Sequence, residues 1–283
     1  AVFLQEVKEI QLLKNALTLL DWDSSTGMPE KSSPFRGEVE GYLTGLYFER
    51  SIGPVIQEAL AYFETRPEEL SELGKLVFEK VKEEYALNKN VPAERMQEYV
   101  KVLNQAHTDW LKARAAQDFG LLEETLTKVV AFQKEFIPYW QKEEKTPYDV
   151  LLNQFEPGMT VEKLDQVFDQ VKQGIQEIRT VLAEKGTPPR TDFLSRKMTK
   201  EQQRRFVIGV VEQLGYDFSK GRLDDTVHPF MTALNRNDAR ITTRWEENNF
   251  SMATFGVIHE AGHGMYEQNF DPKFDFTPLS EGA

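Results

Sequence analysis

Residues His259-Glu260-Ala261-Gly262-His263 place two imidazoles four positions apart, with a carboxylate one residue after the first. On a helix, positions i and i+4 lie on one face, so both rings can point at a single ion. Zinc accepts neutral imidazole nitrogen readily. Glu260 is rotated by about 100° from His259 around the axis. It is too far round to share the ligand direction, yet near enough to reach a metal-bound water. That is the geometry of a general base acting on metal-activated water. The chain holds only 4 histidines, and half of them lie in this motif. At this composition, H-E-x-x-H is expected by chance on the order of 0.006 times per chain. The bland alternative is a surface histidine pair with an incidental glutamate. Gly262 and Gly264 argue against it, because each costs a helix about 1 kcal/mol. Close approach of substrate or of another backbone would explain them.

Two histidines leave zinc short of a protein ligand. Glu267 is four residues past His263, but a third helical turn points past an ion held by the first two. Glu281 lies 18 residues beyond His263 on a returning segment, and by spacing alone is the best candidate. It could equally support a ligand, or be unrelated. Three residues upstream have two readings each. His228 either contacts substrate or is a structural His-Pro turn. Asp238 and Arg240 alternate along an extended stretch and so face one side. They form a salt bridge bracing the strand beside the metal helix, or Arg240 contacts substrate directly. His107 and Trp22 read as structural, and Glu68-Glu69, Glu83-Glu84 and Glu123-Glu124 as solvated faces.

The elements that must position these residues are helical nearly throughout. Leu4, Val7, Ile10, Leu13, Leu17 and Leu20 mark one face of an opening helix, broken by Pro29 and Pro34. Helical patterns follow at 35–50, 54–65, 68–88, 93–117 and 121–142. Gln133 interrupts the last stripe, and Pro138 should kink or end it. Residues 144–149 read as a connector. A long helix runs from Thr160 to Lys185 with a stripe of Leu164, Val167, Phe168, Val171, Ile175, Ile178 and Leu182, which reads as a core face. Gly186 stops it, and 186–190 is the clearest loop. Thr199 and Gln202 form a capping box for a helix ending near Gly215. From about 220 the composition turns to Pro, Asn and Asp, then to the β-favouring run 240–245. Two short strands or a hairpin are expected there. A last helix is expected at 251–269, with Ser251 as N-cap. The fold class is all-α, with a small sheet beside the H-E-x-x-H helix, and one domain over 1–283.

With 34 Lys+Arg against 46 Asp+Glu, the net charge is −12, which disfavours nucleic-acid binding. The chain has no cysteine, so disulfides, thiolate metal sites and cysteine nucleophiles are excluded. No signal peptide or membrane-length apolar run is visible, and a cytoplasmic protein is expected.

Three segments in order, His228-Pro229-Phe230, Asp238-Ala239-Arg240-Ile241-Thr242 and His259-Glu260-Ala261-Gly262-His263, resemble the HPF, DxRxT and HExxH signatures of the carboxypeptidase Taq family, peptidase family M32. Leu20-Asp21-Trp22-Asp23 with Met28-Pro29 resembles that family's early segment, so the resemblance spans the chain. It implies an elongated helical peptidase with a groove, a divalent metal (zinc, with cobalt as an alternative) and a homodimer. It also implies peptide substrates that lose their C-terminal residues. In that family the third ligand is a glutamate shortly after a segment like Ser280-Glu281-Gly282-Ala283. The resemblance therefore implies that the ligand lies past Ala283 rather than at Glu281, and that the sequence is truncated before its site is complete. The alternatives are another HExxH helical peptidase, an oligopeptidase or aminopeptidase, and an inactive helical scaffold.

Overall fold

The computed structural model describes residues 2–281. These separate into two compact units. The first is built from the segments up to Lys89, Ala93–Gln97 and from Thr191 onward; the second from Asn90–Pro92 and Glu98–Arg190. The fold is mainly α-helical, with one small sheet.

In the first unit α1 (Val2–Thr26), α2 (Ser33–Ser51), α3 (Pro54–Glu64) and α4 (Glu72–Asn88) pack around Phe3, Val7, Ile10, Ile56, Leu60, Val77, Phe78 and Val81. The buried stripe of α1 begins at Phe3. Leu4, which the spacing predicts inside, is exposed, while Leu13, Leu17 and Leu20 are half-buried. The bulkier aromatic neighbour takes the core position. α4 starts at Glu72, later than expected, because Pro67–Glu69 forms a separate 3-10 turn and Ser71 caps the helix by accepting from the Gly74 N–H.

α5 (Ala93–Ala116) begins in the first unit and continues in the second, which also holds α6 (Gly120–Trp140), α7 (Pro147–Phe155) and α8 (Val161–Lys185). Its packing centre is aromatic: Phe136 is fully buried, with Tyr99, Phe132 and Trp140 at ring distances of 5.4, 5.8 and 5.4 Å. Gln133 donates to the Tyr99 hydroxyl at 2.6 Å, which accounts for the polar break in the α6 stripe. Pro138 lies within α6, two residues from its end. α7 starts inside the segment 144–149 that reads as a connector and runs on to Phe155. Its start is a capping box built on Thr146 and Asp149.

The Asp149 carboxylate is buried and accepts from the backbone N–H groups of Val161 at 2.7 Å and Thr146 at 3.1 Å. The Val161 bond, aided by Thr146 and opposed by burial, holds its pKa below the ordinary aspartate value. A depressed carboxyl pKa adds stability above the unfolded value of about 4 and loses it as pH falls through the folded value. Asp149→Asn is therefore expected to lower the thermal midpoint at pH 7, with the difference from wild type closing as pH falls through the folded-state value. Melts across that pH range check this; a difference that stays constant with pH would rule the carboxylate out as its source.

The α8 stripe does not form a core. Phe168, Ile175, Ile178 and Leu182 are between 51 and 62% exposed. Periodicity records that a face is apolar, not what covers it.

The rest of the first unit carries α9 (Lys200–Leu214), β1 (Leu223–Asp225), β2 (Met231–Asn235), β3 (Asp238–Thr243) and α10 (Phe250–Gln268). The predicted Thr199/Gln202 capping box starts α9, and Gly215 ends it at φ 111°. Three strands appear rather than two. Their order is β1-β3-β2, with β1 parallel and β2 antiparallel to the central β3. β1 escapes sequence reading because Leu223-Asp224-Asp225 has one apolar residue and no alternation. Val207, Val211, Tyr216, Leu223, Ile241, Val257 and Ala261 form the core joining α9, the sheet and α10.

Candidate metal centre

α10 is buried along Ala253, Val257, Ala261 and Gly264, the side that meets the sheet. Phe255, His259, Gly262, His263 and Tyr266 form its exposed side. The helix begins at Phe250 with Asn249 at the N-cap; Ser251, expected in that role, instead donates to the Asn249 side chain at 2.6 Å.

The two imidazoles stand together on the open side. Their Nε2 atoms are 3.3 Å apart and the ring planes meet at 81°. Two nitrogens bound to one tetrahedral zinc at about 2.05 Å must be separated by roughly 3.3 Å. The pair therefore has the bite of a zinc chelate, and the donor set fits the metal. Glu260 lies inward of the pair and is only 8% exposed. Burial raises its pKa above the usual glutamate value, opposed by the nearby imidazoles of His259, His263 and His228. His228 is thus placed within electrostatic reach of this carboxylate.

Among the described residues, no group of three His, Cys, Asp or Glu side chains could hold a metal ion. Glu281 does not join the imidazoles: its carboxylate pairs with Lys14 of α1. With Glu267, it lines a cavity of about 210 Å³ that also includes Lys14, Asn15 and Met231.

Asp238 and Arg240 form a two-bond pair, with Nε and Nη2 donating to Oδ1 and Oδ2 at 2.8 Å each. The guanidinium also lies 4.3 Å from the ring centre of Trp22 in α1. A second pair escapes sequence reasoning. Arg222 donates to Asp224 at 2.6 and 2.7 Å, and its guanidinium lies 5.0 Å from the same indole. The sheet that carries α10 is thereby tied to α1 by cation–π contact. Arg222 and Asp224 are two positions apart, as Asp238 and Arg240 are. That spacing of opposite charges along an extended stretch is the signal that could have found the second pair.

Thr242 is fully buried, and its hydroxyl both donates to the Phe230 carbonyl and accepts from the Phe230 N–H, each at 2.9 Å. This joins two of the sequence motifs, and spacing alone could not reveal it. His107 is exposed, 5.8 Å from the Trp110 ring, and distant in sequence from this cluster.

The sequence profile described as "Carboxypeptidase Taq (M32) metallopeptidase" matches residues 2–283. The chain is 41% identical over 281 residues to Carboxypeptidase 1 of Bacillus subtilis (strain 168), covering 99% of this chain and 56% of that protein. It is 32% identical over 287 residues to Thermostable carboxypeptidase 1 of Thermus thermophilus, covering 98% and 56%. The crystal structure of the M32 carboxypeptidase from Deinococcus radiodurans R1 superposes with a TM-score of 0.86 at 32% identity, over 99% of this chain and 56% of that one. The chain thus spans about half the length of the relatives it matches. The donor pair, the buried carboxylate beside it and the profile match agree: this chain belongs to the carboxypeptidase Taq (M32) metallopeptidase family.

Proposed function

We propose that the chain carries the metal-binding and proton-transfer helix of a metallocarboxypeptidase that releases C-terminal amino acids from peptides. The observation that supports this reading most is the 3.3 Å Nε2 pair with the buried Glu260 carboxylate beside it. His259 and His263 hold zinc, with cobalt as an alternative, and a further protein ligand comes from outside residues 2–281. The metal, when bound, supplies Lewis acidity that eases deprotonation of water and polarises a carbonyl. Glu260 takes the proton of the attacking water and delivers it to the leaving amine. The acidic, cysteine-free composition suits a cytoplasmic enzyme, and no helix among the described residues is long and apolar enough to cross a membrane. The family resemblance supports a homodimer.

Paired peptides with free and amidated C-termini test the activity. Stepwise loss of C-terminal residues from the free peptide only, abolished by chelation and restored by zinc, is the expected result. Cleavage of the amidated peptide at internal bonds or from its N-terminus would instead support an oligopeptidase or aminopeptidase.

A further inference from the structure

The segment that crosses from β1 to β2 passes over the C-terminal end of β3, because β1 and β2 flank that strand. It is fixed on both sides. Before the crossing, the Thr226 N–H donates to the Thr243 carbonyl at 2.9 Å. After it, the Thr242 N–H donates to the Phe230 carbonyl at 3.0 Å. The Thr242 hydroxyl adds its two bonds to Phe230. Thr226 also donates through its hydroxyl to the Ser25 carbonyl of α1 at 3.2 Å. Between these anchors only Val227, His228 and Pro229 remain, and Pro229 has its φ set by its ring. His228 is the middle residue of this short bridge, and it is exposed.

A plain turn does not need this anchoring. The side chain of Thr242 is inaccessible to solvent, and both bonds of its hydroxyl go to Phe230, the anchor that follows Pro229. Bridge and metal helix share one support: Ile241, next to Thr242, packs under Val257 and Ala261 of α10, and Met231, next to Phe230, packs against the same cluster. The positions of His228 and of the His259/Glu260/His263 group are therefore set by adjacent residues of the same two strands.

We infer that Thr242 is a positioning residue for His228, holding its imidazole where it hydrogen-bonds the peptide substrate beside the reacting carbonyl. This rests on the carboxypeptidase reading above. Hydrogen-bond donors aimed at the charge that develops in a transition state gain their effect from being held in place, so loosening the mount and removing the imidazole should damage the same step.

A double-mutant cycle on the zinc-loaded protein tests it. His228→Ala should lower kcat/KM about a hundredfold, the scale of one lost transition-state hydrogen bond. Thr242→Val should lower it about tenfold, and Thr242→Ser, which keeps the hydroxyl, should restore most of the loss. The Thr242→Val/His228→Ala double variant should be no worse than His228→Ala, because Thr242 acts through the group already removed. Losses that multiply to about a thousandfold would make Thr242 a structural residue and overturn the inference, as would full activity in Thr242→Val or in His228→Ala. Imidazole NMR on the metal-free protein gives a readout independent of turnover. The His228 ring signals should shift or broaden in Thr242→Val and not in Thr242→Ser; unchanged signals in both overturn the inference. A wild-type protein that binds zinc and shows no peptide hydrolysis would defeat the functional reading, while the NMR comparison would still judge the mount.

Discussion

Glu260→Gln is expected to bind zinc as the wild type does and to lose about a thousandfold in kcat, within the range general bases contribute. The substitution is isosteric, so the helix that presents His259 and His263 is unchanged and their Nε2 atoms keep the separation that suits zinc. What is lost is a carboxylate able to accept a proton. The fold itself has no need of that charge. Glu260 is buried on a helix face that otherwise carries Val257, Ala261 and Gly264, and burial disfavours its ionised form. The metal-free variant should therefore unfold at the same temperature as wild type or higher. Metal analysis, peptide kinetics and a thermal melt on the same sample separate the possibilities. Lost zinc would make Glu260 a ligand or ligand support. Retained zinc with retained turnover would place the base elsewhere. Lost turnover with a lower melting temperature would make it structural.

The local geometry of this candidate centre was more legible in the sequence than its setting. His259, Glu260 and His263 are joined by helical periodicity, a local rule that tertiary structure rarely overturns in a long helix. The Thr199/Gln202 cap was readable for the same reason. α7 was not, because it is short, starts at Pro147 in a segment that looks like a turn, and its box closes with Asp149 rather than the usual Glu or Gln. The contacts that hold the sheet to its surroundings were illegible in a different way. Trp22 lies more than two hundred residues from Arg240, and Thr242 reaches Phe230 across a strand pair, so neither partnership follows any local period. The exposed α8 stripe shows the limit from the other side. Its spacing specifies an amphipathic helix, and nothing in a stripe says which surface meets it.

Gly221, Gly262 and Gly264 should respond to alanine in three different ways, although two of them lie in one helix. Tyr216 decides the outcome for Gly221 and Gly264. Its ring is 2% exposed, its hydroxyl donates to the Ala239 carbonyl at 2.5 Å, and the Phe218 ring sits 4.9 Å away. A Cβ on Gly221 would meet both the Ala239 carbonyl oxygen and the Tyr216 hydroxyl far inside van der Waals distance. Neither atom can retreat without breaking the bond between them and shifting β3. Gly221→Ala should cost about 3 kcal/mol or more. A Cβ on Gly264 would meet the same ring edge at 2.7 Å, and Ile241 at 3.4 Å. Overpacking of about 1–3 kcal/mol is then partly offset by the roughly 1 kcal/mol that alanine gives a helix, so the loss is smaller. This close approach of α10 to Tyr216 gives Gly264 a reason of the kind its helical cost requires. Gly262 has no such neighbour: nothing lies within 4 Å of its Cβ position. Gly262→Ala should therefore stabilise by up to about 1 kcal/mol. It lies on the open side between His259 and His263, where a peptide would approach, so the same methyl should raise KM. Thermal melts of the three variants give the order Gly221→Ala, Gly264→Ala, wild type, Gly262→Ala from least to most stable. A destabilised Gly262→Ala would show that its open face is filled by protein rather than left for substrate.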